Sequence, residues 1–323
     1  MNAPTKAAAI TRFHQPLAKV DIKTSESGGA LYNVNIPCCA NNSMNFSRPL
    51  AGRKHLDITG IAKDRTIVET LRNETSPKRE HPAQPERKMP TYFLTGANRG
   101  IGLEFVRQLA VNGNNKIIAA VRSKENDYSE LEALASNGNV HIIECDVSST
   151  DSISSLSFRV AEILSKTGDS LNYLFNIAGI NATSSDTSLS LDPASLQRHM
   201  DINVLGPAKI VETLRQYLAR GAVVMNMTSG LASLTIAKDM TKCCTYSISK
   251  AAQNMLTLHQ ARDLKKQAIV ICMDPGWVKT RMGGKGAFVE PEVSIKGMLE
   301  VIEGLKKEDT GKFYRFDGSQ CQW

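Results

Sequence analysis

Tyr246 and Lys250 lie four residues apart at the start of a helix-forming run that reads Tyr-Ser-Ile-Ser-Lys. On a helix this spacing places both side chains on one face. A lysine ammonium beside a phenol favours the phenolate, so it is expected to lower the tyrosine pKa from about 10 and make the hydroxyl a usable proton donor and acceptor. A pair at this spacing also arises by chance, so its meaning depends on the residues around it.

A glycine-rich segment follows the first apolar run of this region and precedes an amphipathic one. Glycines at such a place let the backbone turn tightly and approach a pyrophosphate, which binds the free N–H groups of a helix N-terminus. The spacing is Gly-x3-Gly-x-Gly rather than the GxGxxG dinucleotide fingerprint, and a plain glycine turn is the alternative. The segment predicts a phosphate-binding loop formed by Thr95, Gly96, Asn98, Arg99, Gly100, Ile101 and Gly102.

Two arginines indicate which dinucleotide the loop would bind. An NAD site carries an acid about 20 residues after the glycines, where it holds the ribose 2′-hydroxyl. Here Arg122 stands 20 residues beyond Gly102, and Arg99 lies inside the loop itself. Two cations suit a 2′-phosphate, so NADPH is the favoured cofactor. The alternative is that Arg122 is a solvated loop charge.

Two further strand ends offer residues to a cofactor. Asp146 and Val147 follow the third strand, where they would approach an adenine, although Asp146 would equally cap the next helix. Asn176, Ala178 and Gly179 close the fourth strand, and the small residues there leave room for a cofactor. Taken alone, that second segment is an ordinary strand-to-loop turn.

The elements that must position these residues alternate along the chain from Thr91 onward. Short apolar, β-rich runs predict strands at 92–94, 116–121, 140–145, 171–177, 222–227, 268–273 and 313–315. Helical runs lie between them, at 101–111, 129–136, 151–165, 194–218, 246–266 and 293–305. This alternation predicts a Rossmann-like α/β domain over residues 90–323, with a doubly wound, mostly parallel sheet and helices on both faces. Ligands then bind beyond the carboxyl ends of the strands.

Residues 1–89 form a different kind of sequence, without a sustained hydrophobic period. Three prolines and a cluster of charges over 76–88 predict a linker or a disordered extension. Lys6, Arg12 and Lys19 precede the first acid, a pattern faintly like a mitochondrial presequence, although an extension without targeting function is the favoured interpretation.

Charge and cysteine usage narrow the function classes. The net charge is +7, but residues 1–89 hold 14 lysines and arginines against 8 acids, so the remainder is nearly neutral and nucleic-acid binding gains no support. No apolar run is long enough to span a membrane. The seven cysteines include no CxxC or Cys/His zinc spacing, which predicts reduced thiols in a cytoplasmic protein without a metal site.

In this order, the motifs resemble the short-chain dehydrogenase/reductase family over residues 91–323. The resemblance rests on the glycine loop, 176–179, Ser229, the Tyr246/Lys250 pair and 274–280. Within the family, 276–284 and 316–323 are similar to the sniffer/C-factor group of carbonyl reductases and to fungal polyketide ketoreductases of the norsolorinic acid type.

The resemblance implies a role for each matching residue. Tyr246 would protonate the carbonyl oxygen, Lys250 would lower its pKa and bind the nicotinamide ribose, and Ser229 would polarise the substrate carbonyl. Asn203 would complete a water-linked proton relay to Lys250, or it is simply a polar group on a helix. The remaining cofactor contacts would come from Pro275, Gly276, Val278 and Thr280.

Some residues leave alternatives open or depart from the family pattern. Thr228 and Ser233 compete with Ser229 for the same role. Ile177 stands where the family has a second asparagine, while Asp274 and Arg281 replace a histidine and an aspartate that the sniffer-like group often carries. Arg281 would attract an anionic substrate or face solvent. Substrate choice therefore cannot be transferred from relatives.

The resulting interpretation is an NADPH-dependent reductase of a small-molecule ketone or aldehyde. Apolar residues around the site suit an aromatic or polyketide-type substrate, and the glycine-rich segment 282–291 would act as a moving lid. The alternatives are an NADPH-sensing regulatory protein and a sugar-nucleotide epimerase or dehydratase on a related fold. Family members often pair through helices equivalent to 194–218 and 246–266, so a homo-oligomer is a further expectation.

Overall fold

A computed structural model of the protein describes residues 19–24, 30–35, 89–123 and 128–323. The chain divides into two units, Met1–Pro82 and Ala83–Trp323. In the first unit, the described backbone forms strands β1 (Lys19–Thr24) and β2 (Ala30–Asn35), which pair antiparallel with Thr24 opposite Ala30. The linker predicted over 76–88 lies outside the described residues, and so does the presequence-like pattern up to residue 18.

The described part of the second unit is built on a seven-stranded parallel sheet. Its strands run in the spatial order β5-β4-β3-β6-β7-β8-β9. Every neighbouring pair is parallel. The strands are β3 (Thr91–Thr95), β4 (Lys116–Val121), β5 (Val140–Glu144), β6 (Leu171–Asn176), β7 (Leu218–Met227), β8 (Ala268–Asp274) and β9 (Phe313–Arg315).

Helices cover both faces of this sheet, which confirms the predicted doubly wound α/β fold. One face carries α1 (Gly100–Ala110), α2 (Ser129–Ala135) and α7 (Pro291–Gly304), whose apolar side chains join one core cluster. The other face carries α3 (Thr150–Ser165), α5 (Gly206–Leu214) and α6 (Cys244–Asp263), which join a second. A short helix, α4 (Pro193–Met200), precedes α5.

The sheet order reverses between β3 and β6, which lie side by side. The chain leaves β3 toward one face and β6 toward the other, so the loops after these strands diverge and open a crevice at their carboxyl ends. The glycine segment follows β3, and residues 177–179 follow β6. The topology therefore brings two of the predicted cofactor segments to one place.

The single helix predicted over 194–218 is wrong in detail. The chain forms α4, then a π-helical turn over Asp201–Leu205, then α5, and β7 already begins at Leu218. The π turn has a local cause at Pro207, which has no N–H to donate to the carbonyl of Asn203 four residues earlier. Instead, the N–H of Gly206 reaches back five residues to the carbonyl of Asp201.

None of the helices in the described part of the chain is both long and apolar enough to cross a membrane.

Candidate active site

Tyr246 and Lys250 lie in the first turns of α6 and share one face of it, as their spacing predicts. The Lys250 ammonium lies 5.8 Å from the centroid of the Tyr246 ring. Lys250 is almost fully buried, with 3% of its surface exposed, whereas Tyr246 is half-buried. The pair therefore stands at the boundary between the core and the crevice.

The ammonium of Lys250 is held by two acceptors. It donates to the backbone carbonyl of Met227 at 2.8 Å and to Oε1 of Gln253 at 2.7 Å. Burial lowers the pKa of Lys250 to about 7. Lys250 can therefore gain or lose a proton near neutral pH.

The pKa of Tyr246 moves in the opposite direction to the sequence expectation. Burial raises the pKa of this phenol, and a hydrogen bond with the Ser229 hydroxyl lowers it by less. The nearby Asp274 and Cys243 side chains raise it further. Burial therefore outweighs the expected effect of the neighbouring ammonium, and Tyr246 remains a protonated phenol at neutral pH.

The positions of the three hydroxyl groups distinguish Ser229 from Thr228 and Ser233. Ser229 is half-exposed at the start of a 3₁₀ turn after β7 and hydrogen-bonds Tyr246. The buried Thr228 hydroxyl instead donates to Oδ1 of Asn254 on α6 at 2.7 Å. The buried Ser233 hydroxyl accepts from the N–H of Ile236 at 3.1 Å. Among the three hydroxyls, Ser229 is the one beside the phenol.

Asn203 lies in the π turn, below the loop that follows β6. Its side-chain amide accepts from the N–H of Ile180 at 2.8 Å, and donates to the Ile180 carbonyl at 3.0 Å and the Ser249 hydroxyl at 2.9 Å. A Cβ on Gly179 would lie 3.1 Å from Oδ1 of Asn203 and 3.5 Å from Nζ of Lys250. The structure thus brings Asn203, Gly179 and Lys250 together, with Asn203 locking the intervening loop.

The glycine loop makes the close approach that a dinucleotide site requires. Gly96 adopts φ +70°, and a Cβ there would lie 3.0 Å from Cα of Ala178. A Cβ on Gly102 would overlap the carbonyl of Gly96, so the start of α1 packs directly on the loop. Of the other loop residues, Ile101 packs against the core while Asn98 is half-exposed. These backbone contacts fit a pyrophosphate lying over the N-terminus of α1.

Two predicted cofactor residues use their side chains to join strand ends. The Thr95 hydroxyl accepts from the N–H groups of Ile177 and Ala178 at 3.0 and 3.1 Å, which ties the end of β3 to the loop after β6. The Asn176 side chain is buried and donates to Oδ1 of Asn226 at 2.8 Å. Any contact of these residues with a cofactor remains a prediction.

Asp146 does not cap the next helix. The N-cap of α3 is Ser149, whose hydroxyl accepts from the N–H of Ser152. Asp146 Oδ1 instead accepts from the N–H and hydroxyl of Ser148, at 2.9 and 2.7 Å. Val147 is half-buried and lies against the start of α5, where a Cβ on Gly206 would come within 2.8 Å of the Val147 carbonyl.

Three arginines gather around the glycine loop. Burial lowers the pKa of Arg99. Charge repulsion from Arg281 and Arg122 lowers it further, by smaller amounts. Gly100 lies against Thr280, whose Cγ2 would be 3.4 Å from a Cβ on that glycine. Arg281 therefore belongs to the cationic rim of the loop, and this cluster suits a phosphorylated ligand.

Hydrogen bonds hold the first residues after β8 in place. Pro275 is buried and its carbonyl accepts from the Ser294 hydroxyl at 2.7 Å, while the N–H of Gly276 donates to Asp274 at 3.1 Å. Val278 forms an isolated bridge with Val289, and the Thr280 hydroxyl accepts from the N–H of Gly283 at 3.1 Å.

The predicted lid wraps around one indole ring. The Trp277 N–H donates to the carbonyl of Gly283 at 2.7 Å, and Phe288 packs edge-on at 6.2 Å between ring centroids. A Cβ on Gly286 would lie 2.9 Å from the indole. Trp277, Met282 and Phe288 all remain exposed, so this segment presents apolar surface to solvent.

Sequence reasoning missed two residues that support the site. Gln253 holds Lys250, and its position one turn beyond the lysine was a readable signal. Asp186 holds the start of α6, where its Oδ2 accepts from the N–H of Thr245 at 2.9 Å and from that residue's hydroxyl. Asp186 and Thr245 are 59 residues apart in the chain, so no local sequence pattern indicates that they are in contact.

Comparisons with known proteins identify the family of this chain. The family profile described as short chain dehydrogenase matches residues 91–287. A Rhodococcus protein, 1-hydroxy-2-glutathionyl-2-methyl-3-butene dehydrogenase, is 34% identical over 242 residues, covering 73% of this chain and 100% of the relative. The carbonyl reductase Sniffer of D. melanogaster superposes with a TM-score of 0.68 at 28% identity, over 73% of this chain and 100% of its own. NADPH-bound carbonyl reductase from chicken fatty liver gives 0.68 at 29%, over 73% and 95%.

Proposed function

The chain belongs to the short-chain dehydrogenase/reductase family, and we propose that it acts as an NADPH-dependent reductase of ketone or aldehyde carbonyls. One observation carries the proposal. Ser229, Tyr246 and Lys250 converge beside the glycine loop, with Ser229 bonded to the phenol and the ammonium 5.8 Å from its ring. Such a set supplies a proton and polarises a carbonyl.

The cofactor assignment rests on the loop and its cations. The backbone around Gly96 and Gly102 would hold the pyrophosphate, and Arg99 and Arg122 would hold the 2′-phosphate. Val278 and Thr280 would meet the carboxamide end. NADPH, when bound, supplies the hydride. The chicken liver relative, a carbonyl reductase described with NADPH bound, supports this choice over NADH.

Side chains of the protein then donate and replace the proton. Because burial raises the pKa of Tyr246, the phenol is protonated before reaction and can donate to the carbonyl oxygen. The Ser229 hydroxyl donates a hydrogen bond to that oxygen and stabilises the charge that develops on it. The Lys250 ammonium stabilises the phenolate left behind. With a pKa of about 7, Lys250 can then return a proton, and Asn203, which lies with Lys250 beside Gly179, would take part in the relay that replaces it.

The decisive test removes the phenolic hydroxyl alone. Tyr246→Phe should lower kcat for carbonyl reduction by about 10³-fold, because general acid catalysis contributes on that order. NADPH affinity, measured by fluorescence titration, should change little. Tyr217→Phe is the matched control, since that hydroxyl bonds to Ser157 on α3 and lies outside the site. An unchanged kcat in Tyr246→Phe refutes Tyr246 as the proton donor, whereas NADPH binding without any carbonyl turnover in the wild type would favour NADPH sensing.

We further propose an aromatic or polyketide-type substrate. The exposed apolar surfaces of Trp277, Met282 and Phe288, which follow β8 in the chain, support this class, and the segment 282–291 would close over the substrate. The measurement is kcat/KM over a panel of carbonyl compounds with NADPH and NADH. If small polar ketones are turned over as fast as aromatic ones, the substrate proposal is wrong, but the proposed reductase activity still stands.

We also propose that residues 90–323 contain the whole activity and that residues 1–89 form a separate extension. All of the proposed catalytic and cofactor residues lie beyond residue 90, and the chain divides into units near that point. A chain limited to residues 90–323 should keep the kcat/KM of the full protein. A large loss in this chain, with folding intact by circular dichroism, would assign the extension a part in catalysis.

A further inference from the structure

We infer that Gln253 is a positioning residue of the catalytic centre, whose side-chain amide fixes the ammonium group of Lys250 and keeps it protonated beside Tyr246. The inference rests on the proposed reductase function and adds a residue to it. Gln253 acts through Lys250 and makes no contact with the reacting carbonyl in this scheme.

The contact geometry is close and fully buried. Gln253 lies three residues after Lys250 on α6, and none of its surface is exposed. Its Oε1 accepts from the lysine ammonium at 2.7 Å, and the Met227 carbonyl on β7 accepts at 2.8 Å. Two of the three ammonium N–H groups are thereby oriented, which leaves one N–H available to the catalytic centre.

The orientation of the amide is fixed by chemistry. A lysine ammonium only donates, so the amide oxygen of Gln253 must face it and Nε2 must point away. Among the described residues, this buried Nε2 has no hydrogen-bond partner. A buried unpaired donor is unfavourable, and an apolar side chain of similar length would avoid it. Packing therefore does not explain a glutamine at this position, whereas the bond to Lys250 does.

Three titratable side chains lie near the hydrogen bond between Gln253 and Lys250. Tyr246 faces Lys250 from the preceding turn of α6, and Cys272 faces it from β8 with a thiol pKa raised by burial to about 12, so the thiol is neutral. Asp274, also on β8, acts on Tyr246. An amide oxygen favours the charged form of the lysine, so its removal should lower the Lys250 pKa further below about 7.

Loss of the Gln253 acceptor should move the alkaline limit of activity, which is the pH at which kcat/KM falls. If catalysis needs the ammonium, kcat/KM falls as pH rises through the Lys250 pKa. Gln253→Met, which keeps length and loses the acceptor, should move that fall to lower pH by about 1 unit, since a hydrogen bond to a charged group is worth that much. Gln253→Glu places a carboxylate there and should move it to higher pH.

The experiment measures kcat/KM against pH for the full-length wild type, both Gln253 variants and a matched control. Gln260→Met is that control, because Gln260 is a buried glutamine two turns further along α6 whose Oε1 accepts from Asn226 at 2.8 Å. We expect opposite shifts in the two Gln253 variants and an unmoved limit in Gln260→Met, although all three lower Tm. The pH midpoint of NADPH binding, followed by fluorescence, should shift in the same directions.

Several outcomes would overturn the inference. It fails if the limit stays in place in both Gln253 variants, even where activity drops, because a structural role alone predicts that result. It also fails if both move the limit in the same direction. If Gln253→Met does not fold, the shift in Gln253→Glu decides. If the wild type reduces no carbonyl, the reductase function fails separately, and the NADPH-binding midpoint still tests the link between Gln253 and Lys250.

Discussion

Helices α1 and α6 pack on opposite faces of one sheet, but by different chemistry. The buried side chains of α1 are mostly apolar: Leu103, Phe105, Val106, Leu109 and Ala110, with Glu104 the exception. Those of α6 are nearly all polar: Thr245, Ser249, Lys250, Gln253, Asn254, Thr257 and Gln260, with Ala261 the exception. One helix is held by apolar burial and the other by hydrogen bonds.

The difference matches what each helix must do. Helix α1 offers only its N-terminus to the proposed cofactor, and apolar packing is sufficient to hold a helix end in place. Helix α6 carries Tyr246 and Lys250, whose positions must be set in both rotation and height. Hydrogen bonds are directional, so the chain from Asn176 through Asn226 to Thr257 and Gln260 specifies one docking of α6 on the sheet.

The largest stability loss is expected on the apolar side. Phe105→Ala should lower the free energy of unfolding by about 4 kcal/mol, because Phe105 is fully buried in the core under α1. Urea denaturation measures the loss. The pH limit of kcat/KM should stay in place in the folded fraction. Val111→Ala, at an 86% exposed position just after α1, is the control and should cost little. A displaced pH limit in Phe105→Ala would contradict the division between the helices.

On the polar side, stability and activity should fall together. Asn226→Leu should lower the free energy of unfolding by about 2–3 kcal/mol, because it leaves buried partners on β6 and α6 unpaired. Since α6 loses its fixed docking, kcat should drop as well, which Phe105→Ala should not cause. Steady-state kinetics beside urea denaturation test this contrast. A variant with reduced stability but full kcat would show that the network only stabilises the fold.

The smallest effect is expected at the rim of the glycine loop. Arg122→Ala should weaken NADPH binding by about 10-fold and leave NADH binding unchanged, because a charge contact with the 2′-phosphate is lost. Arg220→Ala, an exposed arginine on β7, is the control. Fluorescence titration at two salt concentrations measures both, and added salt should reduce the difference. Equal losses for both cofactors would place Arg122 away from the 2′-phosphate.

Much of the fold could be predicted because it depends on local periodicity. Alternating apolar runs gave the strands within a few residues, and the helical spacing put Tyr246 and Lys250 on one face. Pro207 was a readable signal for the break in the predicted 194–218 helix, because a proline cannot supply the N–H that a continuous helix needs.

The remainder depended on burial and on distant contacts. The direction of the Tyr246 pKa follows from how deeply the phenol is enclosed, which no spacing of residues reveals. The support of Asp186 for α6 joins segments far apart in the chain. The family resemblance already favoured Ser229 over Thr228, but the bond of the Thr228 hydroxyl to Asn254 on α6 was seen only in the structure.

The indole at the base of the 282–291 segment also makes that segment visible in solution. The chain contains two tryptophans, and Trp323 packs on Phe313 at the far strand of the sheet, 5.5 Å between ring centroids. Opening of the segment would release the Trp277 N–H from Gly283 and change the surroundings of the indole, which is already 49% exposed. In a Trp323→Phe background, the emission of Trp277 would therefore report segment opening and closing in real time, without any attached dye.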